Sequence, residues 1–124
     1  MSIDTYLRSM FSLEGKTVLF TGAAGGIGGE VATGMAQAGA HIALCDINME
    51  ALEKRQKHIQ DLGGKASIFK LDVTDLENIK QTVKEVAEIN GRIDVLVNCA
   101  GINKREGLAD VAEATYDKIM NVNL

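Results

Sequence analysis

Apolar residues along this chain follow two alternating rhythms. Short runs at Thr17–Phe20, His41–Cys45, Ala66–Leu71 and Ile93–Val97 are nearly continuous in hydrophobicity and rich in β-branched residues. That is the signature of strands covered on both faces. Between them apolar positions recur every three or four residues. Ile27, Val31 and Met35 predict a helix from about Gly26 to Ala38, facing the sheet through those three side chains, with Gly39 past its end. Met49, Leu52, Ile59 and Leu62 predict a second, capped by Asn48, stopped by Gly63-Gly64, and solvated along Glu53-Lys54-Arg55-Gln56-Lys57-His58. Leu76, Ile79, Val83, Val86 and Asn90 predict a third, opened by a capping box between Thr74 and Glu77 and ended at Gly91. Val111, Thr115, Tyr116, Ile119, Met120 and Asn123 place a further helix from near Glu113. Residues 1–15 carry scattered apolar positions and close on the turn signal Glu14-Gly15-Lys16, which suits a short surface helix or arm.

Strands alternating with crossover helices specify right-handed βαβ units in a parallel sheet. The expected fold is α/β, a Rossmann-type doubly wound parallel sheet with strand order 3-2-1-4 and a ligand crevice beside strands one and four. Residues 1–15 form an arm and residues 16–124 a partial dinucleotide-binding domain. The fourth strand is apolar on both faces, yet no later run can pair with its far edge, and the last helix reaches Leu124 without a cap. The expectation is a fold truncated after the fourth strand and the start of the following helix, the cofactor half of a longer protein.

The 124 residues suffice for one domain, and 46% hydrophobic against 24% charged residues place the chain among globular proteins. A net charge of −4 leaves no basic footprint, so nucleic acid is not an expected partner. No run has membrane-spanning length, and the N-terminal stretch lacks a continuous apolar core of the kind a signal peptide needs. Cys45 and Cys99 both fall in apolar strand patterns and are expected as buried free thiols. Free thiols are expected over a disulfide or metal site, no spacing resembles a metal pair, and a reducing cytoplasm fits best.

The chemistry is concentrated in Thr21-Gly22-Ala23-Ala24-Gly25-Gly26-Ile27-Gly28, directly between the first strand and the first crossover helix. A strand that turns sharply into a helix while exposing its backbone to an anion needs residues without side chains in the way. Helix amides left unpaired at such a turn, together with the macrodipole, suit a diphosphate. An acid within about 20 residues of the turn, at the end of the next strand, completes the context of a dinucleotide site. Asp46 is that acid. The expected cofactor contacts here are Gly22, Ala24, Gly25, Gly26, Ile27, Gly28, Asp46 and Ile47.

Four motifs occur in order: Thr21-Gly22-(x)3-Gly26-Ile27-Gly28, Asp72-Val73-Thr74, Asn98-Cys99-Ala100-Gly101 and Asn121-Val122-Asn123-Leu124. With them the chain resembles the N-terminal half of the short-chain dehydrogenase/reductase family along residues 13–124. The resemblance implies that Asp72 and the Val73 amide contact adenine, and that Asn98, Ala100 and Gly101 line the cofactor crevice. It implies that Asn123 is the catalytic asparagine, holding a water of the proton relay. Cys99 stands where the family often has a second asparagine, and Ala112 where a Ser or Thr normally caps the last helix.

Asp46 points to NAD(H). A carboxylate there can accept from both ribose hydroxyls, at roughly 1.5–3 kcal/mol per charge-assisted bond, whereas a 2′-phosphate meets a like charge. Ala23, Ala24, Gly25, Ile47 and Asn48 offer no basic residue to offset it. Family chemistry further requires a tyrosine with a lysine four residues on. The only tyrosines are Tyr6, followed by Met10, and Tyr116, followed by Met120. The resemblance therefore implies an NAD-dependent oxidoreductase acting on a secondary alcohol or ketone, of which this chain carries the cofactor half. The alternative is a catalytically inactive nucleotide-binding module. The Gly101–Arg105 loop looks like those of sugar-acid and polyol dehydrogenases, and the full-length protein is expected to be a homodimer or homotetramer by the same resemblance.

Overall fold

The computed structural model describes residues 2–99. Helix α1 (Ile3–Phe11) leads to β1 (Thr17–Thr21), α2 (Gly26–Gln37), β2 (His41–Asp46), α3 (Met49–Asp61), β3 (Lys65–Lys70), α4 (Leu76–Asn90) and β4 (Val95–Asn98). All strand pairs are parallel, in the order β3-β2-β1-β4, as the alternation of patterns predicts. Thr17 pairs with His41 and Val18 with Val95, so β1 sits centrally and is buried along its whole length.

The period-2 alternation of β1 and β2 divides the core. Val18, Phe20, Ile42 and Leu44 face α2 and α3, where they meet Ala32, Ala36, Leu52 and Ile59. Leu19, Ala43 and Cys45 face the other way, against Leu71, just past β3, and Val86 of α4. Each large side chain fully removed from water stabilises the fold by about 1.5–3 kcal/mol, which is why these continuous strands form the interior.

The helical faces differ from the periodicity in an instructive way. On α2 the expected inward residues Ile27 and Val31 are exposed, Ile27 by 85%, while Gly28, Gly29, Ala32, Thr33 and Ala36 are buried. Only Met35 packs partly against the core as expected. The helix lies too close to the sheet for bulky residues, so its small ones form the contact. On α3, Leu52 and Ile59 are buried but Leu62, at the C-cap, is exposed. Arg55 and Gln56 leave the solvated run. The Arg55 guanidinium donates to Thr33 Oγ1 and Glu30 Oε1, both at 3.2 Å, and covers the space where a side chain on Gly29 would lie. The Gln56 amide donates to the Ala66 carbonyl at 2.9 Å.

On α4 the buried pair is Thr82 and Val86, with Ile79 and Ile89 packed beside the core, and Leu76 and Val83 face outward. The cap is Asp75, whose carboxylate accepts from the Asn78 amide at 3.1 Å, in place of the expected Thr74 and Glu77 box. The Thr74 hydroxyl is already engaged, donating to Asp72 Oδ1 at 2.6 Å. Cys45 is buried as expected, and its thiol is pushed up to about 12 by burial and by the neighbouring Asp46 charge. Cys99 is exposed, contrary to its apolar surroundings in sequence. It lies just past β4, whose far edge has no strand partner among the described residues.

At the N-terminal edge of the sheet, polar side chains close the strand starts. Thr17 donates its amide to Asp94 Oδ2 at 2.9 Å and accepts from the Asn90 side-chain amide at 2.8 Å. Across β2 and β3, His41 Nε2 and Ser67 Oγ hydrogen-bond at 2.8 Å. Helix α1, capped by Ser2, buries none of its residues.

Burial, and then the Lys65 charge, hold the His41 imidazole below its ordinary value of 6.5. The unfolded chain therefore takes up a proton near pH 6.5 that the folded chain refuses, so stability falls as the pH drops from 6.5 through the lower folded value. In thermal unfolding across this range, His41→Gln is expected to flatten that part of the pH dependence. An unchanged slope would show that another group carries it.

Candidate nucleotide site

The C-terminal ends of the parallel strands bring the sequence-predicted residues to one edge. The glycine turn follows β1, Asp46 ends β2, Asp72 follows β3 and Asn98 ends β4. The strand order reverses between β1 and β4, which is where an open α/β sheet offers its crevice.

Gly22 opens the turn with φ of 73°, a conformation that residues with a side chain rarely adopt. Its carbonyl accepts from the Gly25 amide at 3.2 Å, and the Ala23 amide donates to the Cys45 carbonyl at 3.3 Å. The first intrahelical bond of α2 runs from the Gly29 amide to the Gly25 carbonyl at 2.7 Å. The amides of Gly26, Ile27 and Gly28 precede it, and the Gly25 cap has no side chain to serve them. They are the donors a helix N-terminus presents to an anion. A Cβ on Gly28 would collide with the Gly22 carbonyl oxygen, so glycine is a steric requirement there.

Asp46 does more than stand at a strand end. Its Oδ2 accepts from the Ala24 amide and its Oδ1 from the Asn48 amide, both at 3.2 Å, while its carbonyl accepts from Leu71 at 3.0 Å. One residue thus fastens the glycine turn, the start of α3 and the end of β3. Ile47 beside it is exposed.

The third corner is Asp72-Val73-Thr74. Asp72 Oδ1 accepts from both the hydroxyl and the amide of Thr74, at 2.6 and 2.9 Å, and these bonds hold its carboxyl below the usual carboxylate range. The Asp72 amide in turn donates to Asn78 Oδ1 at 2.7 Å. At the fourth corner the Thr21 hydroxyl donates to Asn98 Oδ1 at 2.7 Å, and the Cys99 amide to the Thr21 carbonyl at 3.1 Å. Asn78 was not among the residues the pattern selects, and Thr21, though it opens the glycine motif, was not among the expected contacts. Neither has a periodic signal, and only the convergence of chain segments reveals them. The expected site residues Ala100, Gly101 and Asn123, with the helix predicted from Glu113, lie outside the described residues.

A separate groove runs between α1 and the end of α2, lined by Leu7, Phe11, Gln37 and Ala38 among others. It lies a helix length, about 18 Å, from the glycine turn and is no part of this site. Among the described residues no cluster of three or more His, Cys, Asp or Glu could hold a metal ion, and no helix is long and apolar enough to cross a membrane.

The arrangement agrees with known proteins. The sequence model described as short chain dehydrogenase matches residues 16–124. The chain is similar to the 3-oxoacyl-[acyl-carrier-protein] reductase FabG of Thermotoga maritima, 45% identical over 90% of this chain and 46% of that protein. It is also similar to the 2-dehydro-3-deoxy-D-gluconate 5-dehydrogenase of Bacillus subtilis, 40% identical over 96% of this chain and 46% of that protein. A metagenomic short-chain oxidoreductase solved in complex with NADP superposes with a TM-score of 0.83 at 33% identity, over 90% of this chain and 51% of that one. The chain thus spans about half the length of the curated relatives it matches.

Gly28→Ala is expected to force the turn away from α2, at a cost of about 1–3 kcal/mol in stability. If the turn receives a nicotinamide dinucleotide, as the family's members do, calorimetric titration with that cofactor should show affinity lowered by ~10-fold or more. Unaltered thermal unfolding and affinity would show that the turn tolerates the added methyl.

Proposed function

Because this chain belongs to the short chain dehydrogenase family, we propose that it is the NAD-binding half of an oxidoreductase acting on a secondary alcohol or ketone. The observation that carries the reading is the juxtaposition of the bare α2 amides with the Asp46 carboxylate across one turn, bridged by the Ala24 amide at 3.2 Å.

The residues present fit a dinucleotide. The amides of Gly26, Ile27 and Gly28 would hold the diphosphate, and Gly22, Ala24 and Gly25 shape the turn that admits it. Asp46 would accept from the adenosine ribose hydroxyls, with Ile47 beside them. Asp72 and the Val73 amide would meet adenine, while Asn98, Ala100 and Gly101 would border the rest of the crevice. When bound, the nicotinamide supplies the hydride acceptor or donor. Asn123 would hold a water that carries the proton to or from the acid/base.

Family members bind nicotinamide cofactors, and the NADP complex of one neighbour makes the choice between NAD and NADP the point to decide. Here the preference for NAD rests on charge. Asp46 would face a 2′-phosphate with a like charge, and Ala23, Ala24, Gly25, Ile47 and Asn48 supply no cation to compensate. The named activity of the Bacillus relative and the Gly101–Arg105 loop favour a sugar acid or polyol as substrate, and Lys104 or Arg105 would meet a carboxylate. A second reading, a nucleotide-binding module without turnover, draws on one observation: no tyrosine in these 124 residues is followed four positions on by lysine.

Titrating the intact protein with NADH and NADPH is expected to favour NADH by at least ~10-fold. Equal affinities would defeat the assignment of Asp46. Asp46→Ala should narrow the preference and also weaken NADH, since it frees the Ala24 amide. Turnover of sugar acids, polyols or acyl thioesters by the same preparation distinguishes the substrate classes, and turnover of none supports the module.

A further inference from the structure

Asn78 lies in the first turn of α4, three residues past the Asp75 cap. In a capping box the side chain at this position would return to the amide of the cap residue. Here the Asp75 amide already donates to the Asp72 carbonyl at 3.0 Å, so the Asn78 side chain reaches further back. Its Oδ1 accepts from the Asp72 amide at 2.7 Å, and its Nδ2 donates to the Lys70 carbonyl at 3.3 Å and to Thr82 Oγ1 at 3.4 Å.

These bonds fall where the sheet stops supporting the chain. The Leu71 amide still donates to the Asp46 carbonyl, but the next amide, that of Asp72, lies beyond the end of β3. The Asn78 side chain takes over there, its amide group replacing a neighbouring strand with one acceptor and one donor. Neither a carboxylate nor a hydrophobic residue supplies both. With its backbone held in this way and Oδ1 bonded twice to Thr74, Asp72 keeps Oδ2 free of protein partners among the described residues.

We propose that Asn78 is a positioning residue for adenine recognition. It acts through Asp72, holding the carboxylate where Oδ2 accepts from the exocyclic amine of the base. This rests on the reading in which Asp72 and Val73 meet adenine. Hypoxanthine carries an oxygen in place of that amine, whose lone pairs would face the carboxylate, and a proton on N1 where adenine has a lone pair, so the two bases report on the placement of the Asp72-Val73 corner.

The test is calorimetric binding of NADH and of its hypoxanthine analogue to the intact protein and to Asn78→Ala. The wild type is expected to prefer NADH. Asn78→Ala should weaken NADH by roughly 2–10-fold, the scale of one or two lost hydrogen bonds, and leave the analogue nearly unchanged, so that the preference collapses. A folded variant retaining both the preference and the NADH affinity would overturn the assignment while leaving the cofactor reading intact. A wild type that binds no NADH would instead bring down the cofactor reading and this inference with it. Should Asn78→Ala not fold, the unmutated protein decides. Its Asp72 amide must exchange with solvent more slowly than an unbonded loop amide, and exchange at the unprotected rate would refute the role.

Discussion

The structure depends on how closely α2 approaches the end of β1. The Gly22 carbonyl occupies the volume in which a side chain on Gly28 would lie, and this contact forces small residues onto the buried face of the helix. It turns Ile27 and Val31 outward and makes room for the Arg55 guanidinium over Gly29, where it locks α2 to α3. It also brings the helix amides to the sheet edge with nothing to cap them. The same constraint therefore sets the packing and leaves the first α2 amides without a side-chain cap.

Around this turn the loops of the C-terminal edge are joined by side chains bonded to backbone. Asp46 ties the glycine turn to α3 through its carboxylate and to the end of β3 through its carbonyl. Asn78 ties the β3 corner to α4, and Thr21 ties β1 to Asn98 of β4. A site whose loops are held by their own hydrogen bonds loses less entropy when a ligand orders them. The Ala24 bond to Asp46 has a further consequence. In the proposed function a ribose hydroxyl approaching that carboxylate would share it with the turn proposed to receive the phosphates, which would couple sugar recognition and loop order through one group.

The opposite edge is built for closure. Thr17, Asn90 and Asp94 form a polar staple across the start of β1, and the Thr17 amide, with lesser help from Arg92 and Lys16, holds the Asp94 carboxyl below its ordinary range. His41 and Ser67 join β2 to β3 on the same side. The end carrying candidate chemistry thus presents backbone donors and acids, while at the other end Thr17, Asn90, Asp94, His41 and Ser67 are paired with one another.

The sequence by itself determined the alternation of strands and helices, the parallel order β3-β2-β1-β4, the glycine turn and the placement of Asp46, Asp72 and Asn98 at one edge. These follow from hydrophobic period and turn chemistry, which are local properties of consecutive residues. The inward face of α2, the partial burial of Arg55 and Gln56, the shift of the α4 cap from Thr74 to Asp75, and the exposure of Cys99 were decided only by tertiary structure. So were the roles of Thr21 and Asn78. The close approach of α2 that excludes Ile27 and the Thr21–Asn98 bond join residues far apart along the chain, which no local pattern encodes. The bonds of Thr74 and Asn78 to Asp72 span two and six residues, and there the end of β3 decides which of several nearby donors and acceptors pair.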